Sequence, residues 1–191
     1  MRTLVFVVHP ELQGKSRIHR RLTKELLERG EVTVHDLYAA YPDARIDAER
    51  EQRLLLEHDR IVLQFPFWWY SGPHLLKKWI DEVLAFGWAY GPGGDKLHGK
   101  ELGLAISTGS EADAYGPDGY NRFTMLEMTR PYQVTSDIIG MRFMPLFVVH
   151  GAMSISDQEL DRLASMYAQF AVDDADDARW VDGQQALMQT K

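Results

Sequence analysis

Apolar and polar positions alternate along the chain in two periods. Residues 3–8 form an unbroken apolar run rich in β-branched residues, the signature of a strand covered on both faces. His9-Pro10 ends it, because proline cannot donate to a sheet ladder. Ser16 is a plausible N-cap for a helix reaching Arg29, with Ile18, Leu22, Leu26 and Leu27 at helical spacing and Gly30 as the stop. Residues 32–35 read as a second strand, 37–47 as a loop, 48–58 as a charged helix and 60–65 as a third strand. Pro73 then suits the first residue of a helix striped by Leu75, Leu76, Trp79, Ile80, Val83 and Leu84. A glycine-rich loop over 87–99, a fourth strand over 102–107 and a long loop over 108–121 follow. Residues 123–139 suit a helix broken by Pro131, 141–149 a fifth strand and 157–170 the last helix.

Strands and helices thus alternate five times without an internal repeat or a domain linker. The pattern predicts one α/β domain over 1–191, a doubly wound sandwich whose parallel sheet carries helices on both faces. From Ala171 the composition becomes acidic and loses its period, so 171–191 reads as an appendage. In such a sheet ligands bind beyond the strand C-termini, at the switch point beside the first strand. Residues 9–19, 66–70 and 107–115 are expected to meet there.

The 191 residues contain 28 Asp and Glu against 21 Lys and Arg, a formal net charge of −7. That argues against nucleic acid or an anionic membrane surface as the main partner. The absence of cysteine excludes disulfides, thiolate catalysis and cysteine-based zinc sites. No apolar run approaches the ~20 residues of a membrane span, and the short run before His9 is a strand rather than a signal peptide. A soluble, cytoplasmic protein is expected. The seven histidines show no metal-binding spacing. Residues 94–100 match G-x-x-x-x-G-K, but Glu101 follows where a magnesium-binding Ser or Thr is needed, and a strand follows where a helix is needed.

Each converging segment has a chemical reading. The amides at the start of the first helix, with the Ser16 hydroxyl, make an anion site flanked by His9, Lys15, Arg17 and His19; a simple capping serine among surface histidines explains the same residues. Residues 65–70 hold five aromatics, Phe65, Phe67, Trp68, Trp69 and Tyr70. Successive side chains of an extended segment point to opposite sides, so these cannot all enter one core, and a flat ligand or a second subunit is expected to cover some of them. After the fourth strand, Ser107, Thr108, Gly109 and Ser110 suit the polar edge of a ring, or an ordinary βα turn.

The combination of VVHPE, DLYAAYPDARIDAEREQ, QFPFWWYSGPHLLKKWID, GWAYGPGGDKLHGK and STGS resembles the NAD(P)H:quinone oxidoreductases of the flavodoxin-like fold. Within that family it looks most like the ancillary proteins of glutathione-regulated potassium-efflux (Kef) systems, with TVHDLY, YPDARID and YNRFTM pointing to the KefG type. The resemblance spans about 3–170. It implies a five-stranded sheet of order 2-1-3-4-5 and a flavin, FMN in short bacterial members and FAD in others. His9, Ser16, Arg17, Ile18 and His19 would hold its phosphate, Pro66, Phe67, Trp68 and Trp69 would line its ring, and Ser107, Thr108, Gly109 and Ser110 would bond the ring edge. The implied activity is two-electron hydride transfer from NAD(P)H to flavin to quinone. By position Tyr115 matches an assisting tyrosine of better-known quinone reductases, and Asn121 stands where their assisting histidine would be. A homodimer is implied, with Trp88 and Tyr90 suited to its seam. The alternative reading is a regulatory flavoprotein that binds and activates a potassium-efflux antiporter, which would place it peripherally at the inner face of the membrane.

Overall fold

The computed structural model describes residues 1–174. Five parallel strands, β1 (Thr3–Val7), β2 (Thr33–Asp36), β3 (Arg60–Pro66), β4 (Glu101–Ser107) and β5 (Arg142–Val149), form one sheet in the order β2-β1-β3-β4-β5. That is the expected order. The register runs Val5 to Val34 on one side of β1 and Val5 to Val62 on the other. β3 and β4 are buried along their whole length, which is why they read as continuous apolar runs.

The strand pleat sorts the core into two layers. Leu4, Phe6, Leu63 and Leu104 face one side, where they meet α3 (Ala48–Glu57), α4 (His74–Val83) and α6 (Arg130–Ile138). Val5, Val7, Val62 and Ala105 face the other, beneath α1 (Arg17–Arg29) and α7 (Asp157–Val172). Within α1, Ile18, Leu22 and Leu26 are buried as the spacing predicts, whereas Leu27 lies on the solvent side.

Four local differences have physical causes. Residues 37–40, expected as loop, form one helical turn, α2 (Leu37–Ala40), because the Asp36 carboxylate accepts from the amides of Tyr38 and Ala39. Pro73 is the cap of α4 rather than its first residue. The helix over 123–139 breaks at Thr129 into α5 (Met125–Met128) and α6, ahead of Pro131, which sits in the first turn of α6 where its missing N–H costs nothing. The last helix continues to Val172, so Ala171 is not the start of an appendage. It is fully buried, and its carbonyl accepts from Thr3 Oγ1 and Arg60 Nη1. Residues 175–191 of the expected tail lie outside the described residues.

The glycine-rich loop after α4 leads into β4, as its rejection as a phosphate-binding loop requires. A side chain at Gly94 would meet the Tyr90 carbonyl at 2.2 Å, so this turn demands glycine. Trp88 packs on the core, while Phe86 and Tyr90, edge to face, present the loop's aromatic surface.

Candidate functional site

The switch point lies where β1 and β3, neighbours in the sheet, send their chains to opposite faces. After β1, the loop folds back on itself, with the amides of Gly14, Lys15 and Ser16 all donating to the Glu11 carbonyl. Ser16 occupies the N-cap of α1 but does not cap it. Its backbone has ψ 87°, its side chain makes no bond to the helix amides, and its buried Oγ has no partner among the described residues. His19, one turn on, is also buried. Its Nε2 lies 2.8 Å from Ser107 Oγ, and its Nδ1 has no partner among the described residues. Burial, and then the neighbouring His9, pull the His19 pKa down to about 3, so the ring is neutral. His9 is buried as well, and burial lowers its pKa against the opposing pull of Glu11 and Asp36.

Arg17 and Ile18 are not delivered to this point as side chains. The Arg17 guanidinium turns to α7, donating to Asp157 Oδ1 and, at 2.8 Å, to the Ile155 carbonyl. Ile18 points into the core. What these positions offer is the open N-terminus of a helix with no acidic residue in its first turn.

After β3, Phe67 is buried, and its amide donates to the Ser107 carbonyl at 2.8 Å. The chain then turns sharply instead of continuing extended. Ser71 N donates to Trp68 O at 3.0 Å, and Trp69 and Tyr70 both take positive φ, 48° and 61°. Two successive left-handed residues are the backbone pattern of a type I′ turn, normally built from Asn and Gly. Trp68 and Tyr70 are half exposed and Trp69 is 93% exposed. Trp68 leans edge-on against His9 at 5.4 Å, and Tyr70 against Phe67 at 6.5 Å. Of the five aromatics, only Phe65 and Phe67 serve the core.

After β4, Ser107 and Thr108 are buried. Thr108 Oγ1 donates to the Ser110 carbonyl and lies 2.9 Å from His150 Nδ1. A side chain at Gly109 would meet open space, so the backbone there is bare on its outer side. Ser110 Oγ bonds Tyr120 Oη at 2.5 Å. Beyond the turn an open cleft of about 480 Å³ is lined by Ser110, Glu111, Asp113, Asp118 and Tyr120. Tyr115 and Asn121 find different partners: Tyr115 stacks at a tilt on His150, 5.3 Å away, while Asn121 accepts a 3.0 Å bond from Tyr70.

The three segments therefore adjoin one another. Ser107 touches the first through His19 and the second through Phe67, and Asn121 closes the third onto Tyr70. A family model described as flavodoxin-like fold matches residues 1–171. The chain belongs to the flavodoxin-like family.

Its flavodoxin-like relatives include the NAD(P)H oxidoreductase YdeQ of Bacillus subtilis, 51% identical over 87% of this chain and 84% of that protein. KefG, a glutathione-regulated potassium-efflux system ancillary protein of Salmonella paratyphi B, is 44% identical over 88% of this chain and 92% of that protein. General stress protein 14 of Treponema denticola, solved in complex with FMN, overlays with a TM-score of 0.85 at 37% identity, covering 90% of this chain and 98% of that one. An NADPH-quinone reductase from P. pentosaceus overlays at 0.83 with 36% identity, covering 91% and 99%. A protein described as a thermophilic tryptophan halogenase from Streptomycin violaceusniger overlays at 0.87 with 43% identity, covering 90% and 99%. That name stands apart from the reductases, and no residue arrangement described above points to halogenation.

His150 is the site residue that sequence reasoning missed. The signal was present: β5 ends in Val148-Val149-His150 as β1 runs into Val7-Val8-His9, a histidine closing an apolar strand in both places.

Proposed function

We propose that this flavodoxin-like chain is an FMN-dependent NAD(P)H oxidoreductase that passes electrons to a quinone. The observation that carries the reading is the pair of buried, unpartnered polar atoms, Ser16 Oγ and His19 Nδ1, at an open helix N-terminus beside an exposed aromatic turn. A buried polar atom without a partner costs about 1–3 kcal/mol, and a phosphate at that point satisfies both. The FMN-bound relative and the reductase names support the same cofactor and activity.

The bound flavin supplies the two-electron hydride chemistry between NAD(P)H and the acceptor. The protein's part is placement. Ser16, His19 and the first amides of α1 hold the phosphate, with His9 behind them. Pro66, Phe67 and Trp68 line the ring. The backbone of Thr108, Gly109 and Ser110 meets the ring's polar edge, where donors stabilise charge gained on reduction. Tyr115, held by His150, and Asn121, held by Tyr70, bound the acceptor's side. Arg17 contributes its backbone and not its charge. Trp69, with the exposed aromatics Phe86, Tyr90, Tyr120 and Phe123, suits the seam of a homodimer.

The test is to purify the protein, extract and weigh any yellow cofactor, and follow NADH and NADPH oxidation with a simple quinone. FMN with quinone-dependent turnover is expected. A colourless protein that takes up neither FMN nor FAD overturns the reading. The KefG relative, and an asparagine at 121 where the family resemblance implies a histidine, favour a second role, activation of a potassium-efflux antiporter. Flavin binding with negligible turnover, together with co-purification of such an antiporter, would favour that role over the first.

A further inference from the structure

Ser107 stands where the three segments meet. Its backbone carbonyl is taken by Phe67 N, and its hydroxyl faces the imidazole of His19 at 2.8 Å. The far ring nitrogen, Nδ1, belongs to the third residue of α1, and the Ser16 hydroxyl to the N-cap just ahead of that helix. Both atoms are buried and unpartnered.

We propose that Ser107 is a positioning residue that sets the tautomer of His19. Its hydroxyl donates to Nε2, so that Nδ1 carries the hydrogen and, with the Ser16 hydroxyl, forms an uncharged two-donor seat for a phosphate monoester. The proposal rests on the flavin-phosphate reading of this site and adds the charge state and the source of the hydrogen.

The argument follows from what one ring can offer. A neutral imidazole has a single N–H. Were that hydrogen on Nε2, the Nδ1 lone pair would face the phosphate and repel it. A doubly protonated ring would donate from both nitrogens, but nothing here holds that charge. The groups that meet His19 are the imidazole of His9, the hydroxyl of Ser107, and Gln64, whose amide donates to the His19 carbonyl. None is a carboxylate, and burial keeps the free ring neutral. Of the two arginines in the first turn, Arg17 is held by Asp157 and Arg20 donates to the Gln13 carbonyl. The phosphate charge is therefore met by helix amides and neutral donors.

The test uses the full chain, flavin-loaded and flavin-stripped. Nitrogen NMR of the His19 ring should show the Nδ1–H tautomer with FMN bound, and calorimetry in two buffers should show no proton uptake on FMN binding between pH 6 and 8. Ser107→Ala should let the other tautomer appear and weaken FMN by about tenfold, while Ser107→Thr, which keeps a hydroxyl, restores both. Riboflavin, which lacks the phosphate, should bind the wild type and the alanine variant alike. Uptake of one proton per FMN, or an unchanged tautomer and affinity in Ser107→Ala, overturns the proposal. A Ser107-dependent tautomer in a protein that binds inorganic phosphate but no FMN would support the seat while overturning the flavin reading.

Discussion

Tyr70 and Asn121, 51 residues apart, are joined by a 3.0 Å hydrogen bond in which the phenol donates to Oδ1 of the amide. The bond ties the aromatic turn after β3 to the long loop after β4, the two segments that frame the open side of the site. Asn121 Nδ2 is buried without a partner among the described residues, so the phenol is what orients the carboxamide. Removing it with Tyr70→Phe should cost about 0.5–1.5 kcal/mol and loosen the 108–121 loop. KM for the acceptor should rise more than kcat falls, because the bond shapes a surface rather than moving a proton. Equal losses in kcat and kcat/KM would show a part in the chemical step instead.

The turn carrying Tyr70 is built from residues unsuited to its backbone. Left-handed φ costs a non-glycine residue roughly 1–2 kcal/mol, and Trp69 and Tyr70 both adopt it. Trp69 recovers nothing by burial, being 93% exposed. Replacing the exposed member with a residue that tolerates this backbone, Trp69→Asn, keeps the Tyr70 bond to Asn121 and should raise Tm by about 1–3 °C. If the strain is kept for function, the same change should lower acceptor turnover several-fold. A variant that is more stable and equally active would show that Trp69 has no role in reduction.

The strands were legible because buried parallel strands read as apolar runs, and residues 60–66 and 101–107 are buried without a break, while their order came from the family resemblance. The meeting of the three segments followed from the switch-point rule alone. What stayed hidden were side-chain commitments between distant residues. Nothing near Arg17 in sequence announces Asp157, and nothing near Ser16 shows that its hydroxyl leaves the helix amides unbonded. The turn at Trp69-Tyr70 was also invisible, since its sequence carries neither the Asn nor the Gly that marks such turns.

Glu51 is the buried charge on which the opposite layer depends. It is fully buried on α3 and accepts from His35 Nε2 at 3.1 Å, Tyr41 Oη at 2.6 Å and Trp79 Nε1 at 2.9 Å. Burial pushes its carboxyl up, but the bonds from His35, Tyr41 and Trp79 outweigh it and hold the pKa below the usual value. Glu51→Ala strands three donors and should cost about 3–5 kcal/mol. Because the folded pKa is depressed, the stabilisation is present above the unfolded value near 4.5 and is lost as pH falls through the folded one. Urea midpoints at pH 7 and pH 3.5 check both points. In Glu51→Gln the drop below pH 4.5 should shrink, and an unchanged drop would show that other carboxylates carry it.

Two neutral histidines set the stability at milder acidity. Burial lowers His19 to about 3 and, against the pull of Glu111, His150 to about 4. The geometry also places a hydrogen on one nitrogen of the His150 ring. Thr108 Oγ1 gives its only hydrogen to the Ser110 carbonyl, so Nδ1 of His150 must donate to that oxygen. Both folded values lie below the unfolded 6.5, so on acidification the unfolded chain takes up protons that the native protein refuses. Stability is full above pH 6.5 and should fall by about 1.4 kcal/mol per pH unit for each histidine as pH drops toward 4. His150→Gln, which retains a side-chain donor for Thr108 but does not titrate, should remove the His150 share of that slope and leave the share of His19 and His9. It should also shift FMN affinity less than His150→Ala, which leaves the Thr108 hydroxyl without its donor and Tyr115 without its ring contact. Unfolding free energies measured in urea at pH 7, 6, 5 and 4.5 give the slopes. A wild-type curve flat from pH 7 to 5 would show that these rings accept protons in the folded state and are not the neutral donors that the site requires.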